Sequence, residues 1–250
     1  MKTVEIIFSP TGGTEKVARI ITGRWDPDAV TVDLGDAKAD FSRCVIEKED
    51  RVLIAMPSFG GRAPAVAIQR LGRIAGNGAE CALVCVYGNR AYEDTLAEME
   101  DAAKKSGFRV AAAVAAVAEH SILPQYAAGR PDAADKKQLE QFADAIANGA
   151  EGTAVIPGNR PYKKSGGAGL VPKPTGSCVK CGLCAEKCPV QAIDPVSFQG
   201  DAKKCIGCMR CRKQCPANAR KVNGMMVSIA GIAIKKGCSV RKDNELYLCK

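Results

Sequence analysis

The chain has 250 residues, 46% of them hydrophobic, and this length accommodates one large and one small globular domain. No run of about 18 apolar residues occurs, so we expect no membrane span. The net charge of +9 is divided unevenly, because residues 1–150 carry 18 basic and 21 acidic side chains, whereas residues 151–250 carry 18 and 6.

The first 150 residues alternate short apolar segments with amphipathic ones. The apolar segments predict five strands, at Val4–Phe8, Ala29–Leu34, Val52–Met56, Cys81–Tyr87 and Val110–Val117. The amphipathic segments predict helices at Thr14–Gly23, Ala65–Ile74, Tyr92–Ser106 and Pro131–Asn148. This alternation indicates an α/β domain with a flavodoxin-like, doubly wound sheet of five parallel strands, whose ligand site lies at the carboxyl ends of the strands.

The first predicted strand runs directly into a loop rich in hydroxyl side chains and glycine. Its residues are Ser9, Pro10, Thr11, Gly12, Gly13 and Thr14. Hydroxyl groups and unhindered amides at the start of a helix suit a phosphate dianion. The loop resembles the one with which flavodoxins bind the phosphate of flavin mononucleotide (FMN), and it has neither the Walker nor the G-x-G-x-x-G pattern. An ordinary glycine-rich turn capped by Thr14 is the alternative.

Two further loops follow the third and fourth predicted strands, at the same edge of the sheet. They offer glycines for close backbone approach and aromatic rings for stacking on a flavin. The residues expected at the flavin are Pro57, Ser58, Phe59, Gly60 and Gly61 in one loop and Tyr87, Gly88, Asn89, Arg90 and Tyr92 in the other. Arg62 or Arg90 is a candidate cation for an anionic reduced flavin. The alternative makes the rings packing residues and the arginines solvated residues at helix starts.

His120, the single histidine of the chain, follows the fifth predicted strand. A proton relay to a flavin is one interpretation. A loop histidine that hydrogen bonds to the backbone is the interpretation that we favour.

Eight of the 13 cysteines fall into two runs with identical spacing. Each run reads C-x2-C-x2-C-x3-C-P, the spacing of bacterial ferredoxins that hold 4Fe-4S clusters. In this motif the first three cysteines surround one cluster, and the fourth ligates the other. The predicted ligand sets are Cys178, Cys181, Cys184 and Cys215 for one cluster and Cys205, Cys208, Cys211 and Cys188 for the second.

Zinc and disulfides are the alternatives for these cysteines. Structural zinc sites usually have two C-x2-C pairs separated by a longer segment, whereas these eight cysteines interlock in runs of four. Disulfides require an oxidising compartment, and the chain opens on a strand-like segment without a signal peptide, so we expect the protein in the cytoplasm. Cys81 and Cys85 lie in an apolar run and are predicted to be buried.

These motifs divide the chain into four predicted parts. They are a flavodoxin-like FMN-binding domain at residues 1–150, an exposed linker at 151–175, a small α+β ferredoxin domain with two 4Fe-4S clusters at 176–224, and a helix and tail at 225–250 that pack back on the larger domain. The basic half shows no nucleic-acid motif. We interpret its charge as neutralising the clusters and docking an acidic protein partner.

The chain resembles the EFR-type ferredoxin family over nearly its full length. The segments that carry the resemblance are FSPTGGT, PSFGGRAP, YGNRAYED, GNRPYK, the two cysteine runs and RKDNELYL. The resemblance implies a flavodoxin-like domain, with FMN as its expected ligand, fused to a ferredoxin domain with two 4Fe-4S clusters. The chain departs from the usual flavodoxin loop at Pro10, which removes one amide donor, and at Gly13.

Electron transfer is the function that these motifs predict. FMN and the two clusters would exchange electrons with each other and with an external redox protein. The alternative is a flavin-dependent reductase that receives electrons from the clusters and acts on a small molecule. A pocket open over the flavin would favour the reductase, and a flavin edge covered by the ferredoxin domain would favour the carrier.

Overall fold

The computed structural model describes residues 1–166 and 169–249, and its N-terminal part is a sheet with helices on both faces. The strands of the sheet are β1 (Thr3–Ile7), β2 (Val30–Asp33), β3 (Arg51–Pro57), β4 (Glu80–Tyr87) and β5 (Arg109–Val117). The helices are α1 (Gly13–Trp25), α2 (Ala65–Leu71), α3 (Thr95–Lys105) and α4 (Ala133–Ala147), with a 3₁₀ turn at Phe41–Arg43.

The five strands are parallel and lie in the order β2-β1-β3-β4-β5. This is the flavodoxin-like doubly wound order, in which the switch point lies between β1 and β3. The predicted fold class is confirmed. The interiors of β3 and β4 are apolar because α1 and α4 cover one face of the sheet and α2 and α3 cover the other. Cys81 and Cys85 are buried in β4, as predicted.

A further strand from the end of the chain completes the sheet. This is strand β8 (Glu245–Leu248), which follows β6 (Lys173–Pro174) and β7 (Arg220–Lys221) in the chain. It pairs antiparallel with β5, with Ala112 opposite Leu248 and Ala115 opposite Glu245. The five-strand prediction missed this strand, because a four-residue segment at the end of a polar tail carries no clear alternation. It is held by the edge of β5 that it covers.

The cysteine-rich part forms a small layer beside the sheet. It contains β6 (Lys173–Pro174) paired antiparallel with β7 (Arg220–Lys221), and the one-turn helices α5 (Leu183–Glu186) and α6 (Arg210–Lys213). Gly182 and Gly207 have φ angles of +79° and +64°, a conformation that glycine adopts without strain. Helix α7 (Gly224–Cys238) then leads back to β8. Within the described residues, no helix has the length and apolar character needed to cross a bilayer.

Two arginines join the small layer to the sheet domain. Arg70 of α2 donates to the carbonyls of Leu34 and Pro189, each at 2.7 Å. Arg210 of α6 donates to the Gly35 carbonyl at 3.0 Å. These contacts fix the cysteine-rich layer above the carboxyl edge of the sheet, where a ligand site is expected.

Candidate functional site

A cavity of about 320 Å³ lies at the carboxyl edge of the sheet. Its wall combines the loop after β1, the ends of β3 and β4, the loop after β5, part of the linker, the second cysteine run and α7. The predicted flavin-site residues that line it are Thr11, Gly13, Thr14, Pro57, Ser58, Phe59, Gly60, Tyr87, Gly88 and Arg90. Three loops far apart in the sequence therefore meet at one cavity.

The start of α1 forms one end of this cavity. Gly12 is the N-cap residue, has a φ of +89°, and has no side chain with which to cap the helix. The first amides of a helix have no partner within it, and here the Glu15 amide donates to the Ser9 hydroxyl. The amides of Gly13 and Thr14 remain to bind an anion at the positive end of the helix dipole. Thr11 and Thr14 line the cavity beside these amides.

Three of the predicted flavin-site residues support the cavity without lining it. The Ser9 hydroxyl oxygen accepts a hydrogen bond from the Glu15 amide at 2.9 Å, and the hydroxyl hydrogen can still donate to a ligand. Gly12 supplies the left-handed turn into α1. Gly61, with a φ of +86°, accepts from the Asp94 amide at 3.0 Å.

Asn89 and Tyr92 lie away from the cavity and bind the C-terminal segment. Asn89 is buried, and its amide donates to the carbonyls of Cys238 and Val240 at 3.0 and 2.8 Å. The Tyr92 hydroxyl donates to Glu245 at 2.6 Å. Both side chains have their partners in α7, β8 and the segment between them, and neither lines the cavity.

Of the two candidate arginines, Arg90 lines the cavity and Arg62 does not. Arg62 forms a bidentate ion pair with Glu98 and lies over the ring of Tyr162, with 4.7 Å from guanidinium carbon to ring centroid. It therefore fixes the linker against α3. Arg90 forms an ion pair with Glu93 at 3.0 Å, and its side chain lines the cavity wall.

His120 hydrogen bonds to the backbone, as the favoured interpretation expects, and a proton relay stays a prediction. Its Nδ1 accepts hydrogen bonds from the amides of Ile122 and Leu123, both at 3.2 Å, and its ring also lines the cavity. Burial lowers the pKa of His120, and the positive charge of Arg90 lowers it further. The neutral ring therefore carries its hydrogen on Nε2. Gly88 is required here, because a Cβ at this position would lie 2.5 Å from the ring.

Residues from the C-terminal half close the cavity opposite the flavodoxin-like loops. They are Gly166, Gly169, Leu170, Cys205, Ile206, Gly207, Cys208, Ala230 and Ile234. The sequence predicts that residues 225–250 pack back on the larger domain, but it does not predict that α7 or the linker lines the site. The fold brings α7 over the loop after β5, where the Tyr126 hydroxyl donates to the Gly231 carbonyl at 3.1 Å.

A second, smaller cavity of about 20 Å³ lies within the cysteine-rich layer. Its cysteines are Cys188, Cys205, Cys208 and Cys211, the ligand set that the crossing rule predicts for the second cluster. Cys188 is the last cysteine of the first run, so the fold brings the fourth cysteine of one run to the first three of the other. Burial raises the pKa of the Cys208 thiol to about 12, and burial also raises the pKa of Cys211.

The remaining predicted ligands lie nearer the surface. Cys178, Cys184 and Cys215 are partly exposed, and Cys181 is exposed. Burial raises the pKa of the Cys184 thiol, and the positive charge of Arg220 opposes that rise. In the described residues, no three His, Cys, Asp or Glu side chains are grouped as ligands of a single metal ion. The ligand assignment of both sets stays a prediction.

Comparison with known proteins identifies the C-terminal module. Residues 172–194 and 199–221 match the model of the 4Fe-4S binding domain. No curated protein matches the chain. Solved structures that resemble the chain do so at low identity, 16–20% for the three described next.

Three of these structures illustrate the likeness. A flavodoxin from Streptococcus pneumonia TIGR4 is 20% identical, with 59% of this chain and 97% of that chain covered and a TM-score of 0.40. A Fusobacterium nucleatum flavodoxin bound to flavin mononucleotide is 16% identical, with 59% and 98% covered and a TM-score of 0.41. Rubredoxin oxygen:oxidoreductase from Desulfovibrio gigas is 17% identical, with 59% and 35% covered and a TM-score of 0.39.

The strand order and the cysteine module together define the class of protein. The chain joins a flavodoxin-like α/β domain to a 4Fe-4S binding domain, a combination typical of electron transfer. The more particular resemblance to the EFR-type family stays a prediction.

Proposed function

We propose that the protein is an electron carrier in which FMN and two 4Fe-4S clusters exchange electrons with each other and with an external redox protein. The observation that carries this proposal is the shared wall of the larger cavity. The start of α1 and the Cys205–Cys208 segment line the same cavity, so a ligand in it touches both modules.

The residues present fit FMN. The start of α1 offers backbone amides to a phosphate, and Thr11 and Thr14 add their hydroxyls. Phe59 and Tyr87 offer aromatic surface to a ring system. A cavity of about 320 Å³ lies within the range of about 300–1,000 Å³ usual for cofactor sites.

FMN, when bound, supplies the conversion between two-electron and one-electron transfer. The chain's own residues would hold and shield it. Arg90 places a positive charge at the cavity wall, and His120 presents an N–H donor there. Ile206, Ala230 and Ile234 cover the cavity with apolar surface and exclude water.

The cysteines would hold the clusters in a defined order relative to the flavin. Cys205 and Cys208 line both cavities, so we infer that the cluster of the second set is the neighbour of the flavin. Because Cys181 is exposed, we infer that the other cluster lies nearer solvent and an external partner. The net charge of +12 on residues 151–250 favours a partner with an acidic surface.

The reductase remains a second candidate because His120 and Arg90 both line the cavity. The carrier is favoured because the cysteine-rich loop and α7 cover the place where a substrate would approach. The cytoplasmic location stays a prediction.

The test of this proposal is anaerobic purification followed by titration with flavins. We expect about eight iron and eight sulfide per chain, as two cubanes require. FMN should bind at least tenfold more tightly than riboflavin, because only FMN carries the phosphate, and Thr14→Val should remove much of that preference. Thr153→Val, at an exposed position, is the control. Equal affinity for the two flavins, or fewer than about five iron per chain, would contradict the proposal.

A further inference from the structure

The two cysteine runs continue into matching segments that differ at one buried position. Residues 189–193 read PVQAI, and residues 216–220 read PANAR. In both segments the alanine amide donates to the preceding fourth cysteine, from Ala192 to Cys188 at 3.3 Å and from Ala219 to Cys215 at 3.2 Å. The same local geometry therefore follows each run, and it ends on an isoleucine in one case and an arginine in the other.

Arg220 is buried without an acidic partner. Its side chain is 2% exposed, and its two terminal nitrogens donate to the carbonyls of Phe198 and Pro172, both at 2.6 Å. Its Nε has no partner, and no carboxylate in the described residues pairs with it. Burying an unpaired charge costs free energy, which an apolar residue such as Ile193 would avoid. A negative group that this cation faces would offset the cost.

The thiols that Arg220 faces belong to both predicted ligand sets. Its Nη1 lies 3.7 Å from Sγ of Cys184, a ligand of the first set. It also lines the small cavity with Cys211, a ligand of the second set. We propose that Arg220 is the cation that raises the reduction potentials of both clusters. This inference rests on the proposed function, because it requires both clusters to be bound.

The physical reason is the charge that a cluster gains on reduction. Each step moves one electron from a donor, the flavin or the external redox protein, to a cluster, so the donor loses the charge that the cluster gains. A fixed positive charge in a region of low dielectric stabilises the more negative state.

The experiment is a potentiometric titration of the purified holoprotein, followed by electron paramagnetic resonance, on four variants. Arg220→Ile copies the residue of the first run, Arg220→Gln keeps a hydrogen-bond donor without the charge, and Arg220→Lys keeps the charge. Lys213→Gln removes an exposed charge from the same module as the control.

We expect both neutral variants to lower the equilibrium constant for reduction of each cluster at least tenfold, which is about 59 mV for one electron. In Arg220→Lys and Lys213→Gln, the equilibrium constant for reduction of each cluster should change less than tenfold. Iron and sulfide are measured on every sample, so absence of clusters from the unmodified protein identifies a failure of the proposed function.

Loaded neutral variants with unchanged potentials would refute the role of Arg220. If neither neutral variant holds both clusters while Arg220→Lys does, the charge serves assembly instead, and the proposal is overturned.

Discussion

At the scale of single residues, Asp94 shows how one carboxylate shapes the region beside the cavity. Its side chain is 1% exposed and accepts hydrogen bonds from the amide of Lys163 at 2.7 Å and from the amide and side chain of Asn159 at 2.8 and 3.0 Å. These bonds hold the linker against α3, so much of the segment predicted as an exposed linker is fixed to the domain. The amides of Lys163 and Asn159 also lower the pKa of Asp94.

We expect Asp94→Ala to reduce the free energy of unfolding by about 1–3 kcal/mol at pH 7, because it leaves amide donors without an acceptor. A carboxyl whose pKa is lowered by folding stabilises the folded protein at pH values above the pKa of that carboxyl in the unfolded chain, which is about 4. The difference from the unmodified protein should therefore shrink as the pH falls below about 4. Denaturant titrations at several pH values measure it, with the exposed Asp28→Ala as control, and a difference independent of pH would contradict this explanation.

At the scale of elements, β8 decides how the sheet ends. Strand β5 is rich in alanine and almost wholly buried, and without β8 its outer edge would offer unpaired backbone groups to another chain. Asn244 fixes the entry into β8. It is buried, accepts from the Val117 amide at 2.9 Å, and donates to Gln138 at 2.8 Å.

Replacing Asn244 by alanine should lower the free energy of unfolding by about 1–3 kcal/mol, since the buried Val117 amide loses its acceptor. It should also speed amide exchange in β8 and at the end of β5. The neighbouring, exposed Asp243→Ala is a matched control and should have an effect within about 0.5 kcal/mol. If the two variants are equally stable, Asn244 does not anchor the strand.

At the scale of the whole molecule, the site exists only because the two modules are docked. Arg70 and Arg210 contact the segment Leu34–Gly35 after β2, and Arg70 also reaches the Pro189 carbonyl. Most of these acceptors are backbone carbonyls, so the arrangement depends on exact backbone positions. Docking in this way brings the Cys205–Cys208 segment to the cavity at the sheet edge.

The double variant Arg70→Met and Arg210→Met should loosen this docking while both modules stay folded. We expect amides in residues 176–224 to exchange faster, because local opening of that module becomes less costly, and those of β1, β3 and β4 to keep their protection. Hydrogen exchange read by mass spectrometry measures this. A control pair, Arg19→Met with Arg73→Met, removes exposed arginines whose carboxylate partners lie within the sheet domain. Unchanged exchange in the docked module would show that other contacts hold it.

The sequence by itself determined the parts of this protein that depend on local patterns. Alternating apolar and amphipathic segments predicted the five parallel strands and their helices, since burial on both faces leaves a local signature. The cysteine spacing predicted a 4Fe-4S module, because a cubane needs thiolates at fixed intervals along one loop. The position of the three flavin-site loops was predicted from the strand pattern, since the carboxyl ends of parallel strands always meet at one edge of the sheet.

Only the tertiary structure decided which of those residues face the same space. Asn89, Tyr92 and Arg62 have the chemistry of flavin contacts, but each binds a segment distant in the sequence, and no local pattern encodes such a partner. Helix α7 and strand β8 gain their places from docking on surfaces built by the sheet domain. The flavodoxin-like loops and the second cysteine run share one cavity although they lie more than 100 residues apart in the sequence. Only the folded backbone sets the distance between them.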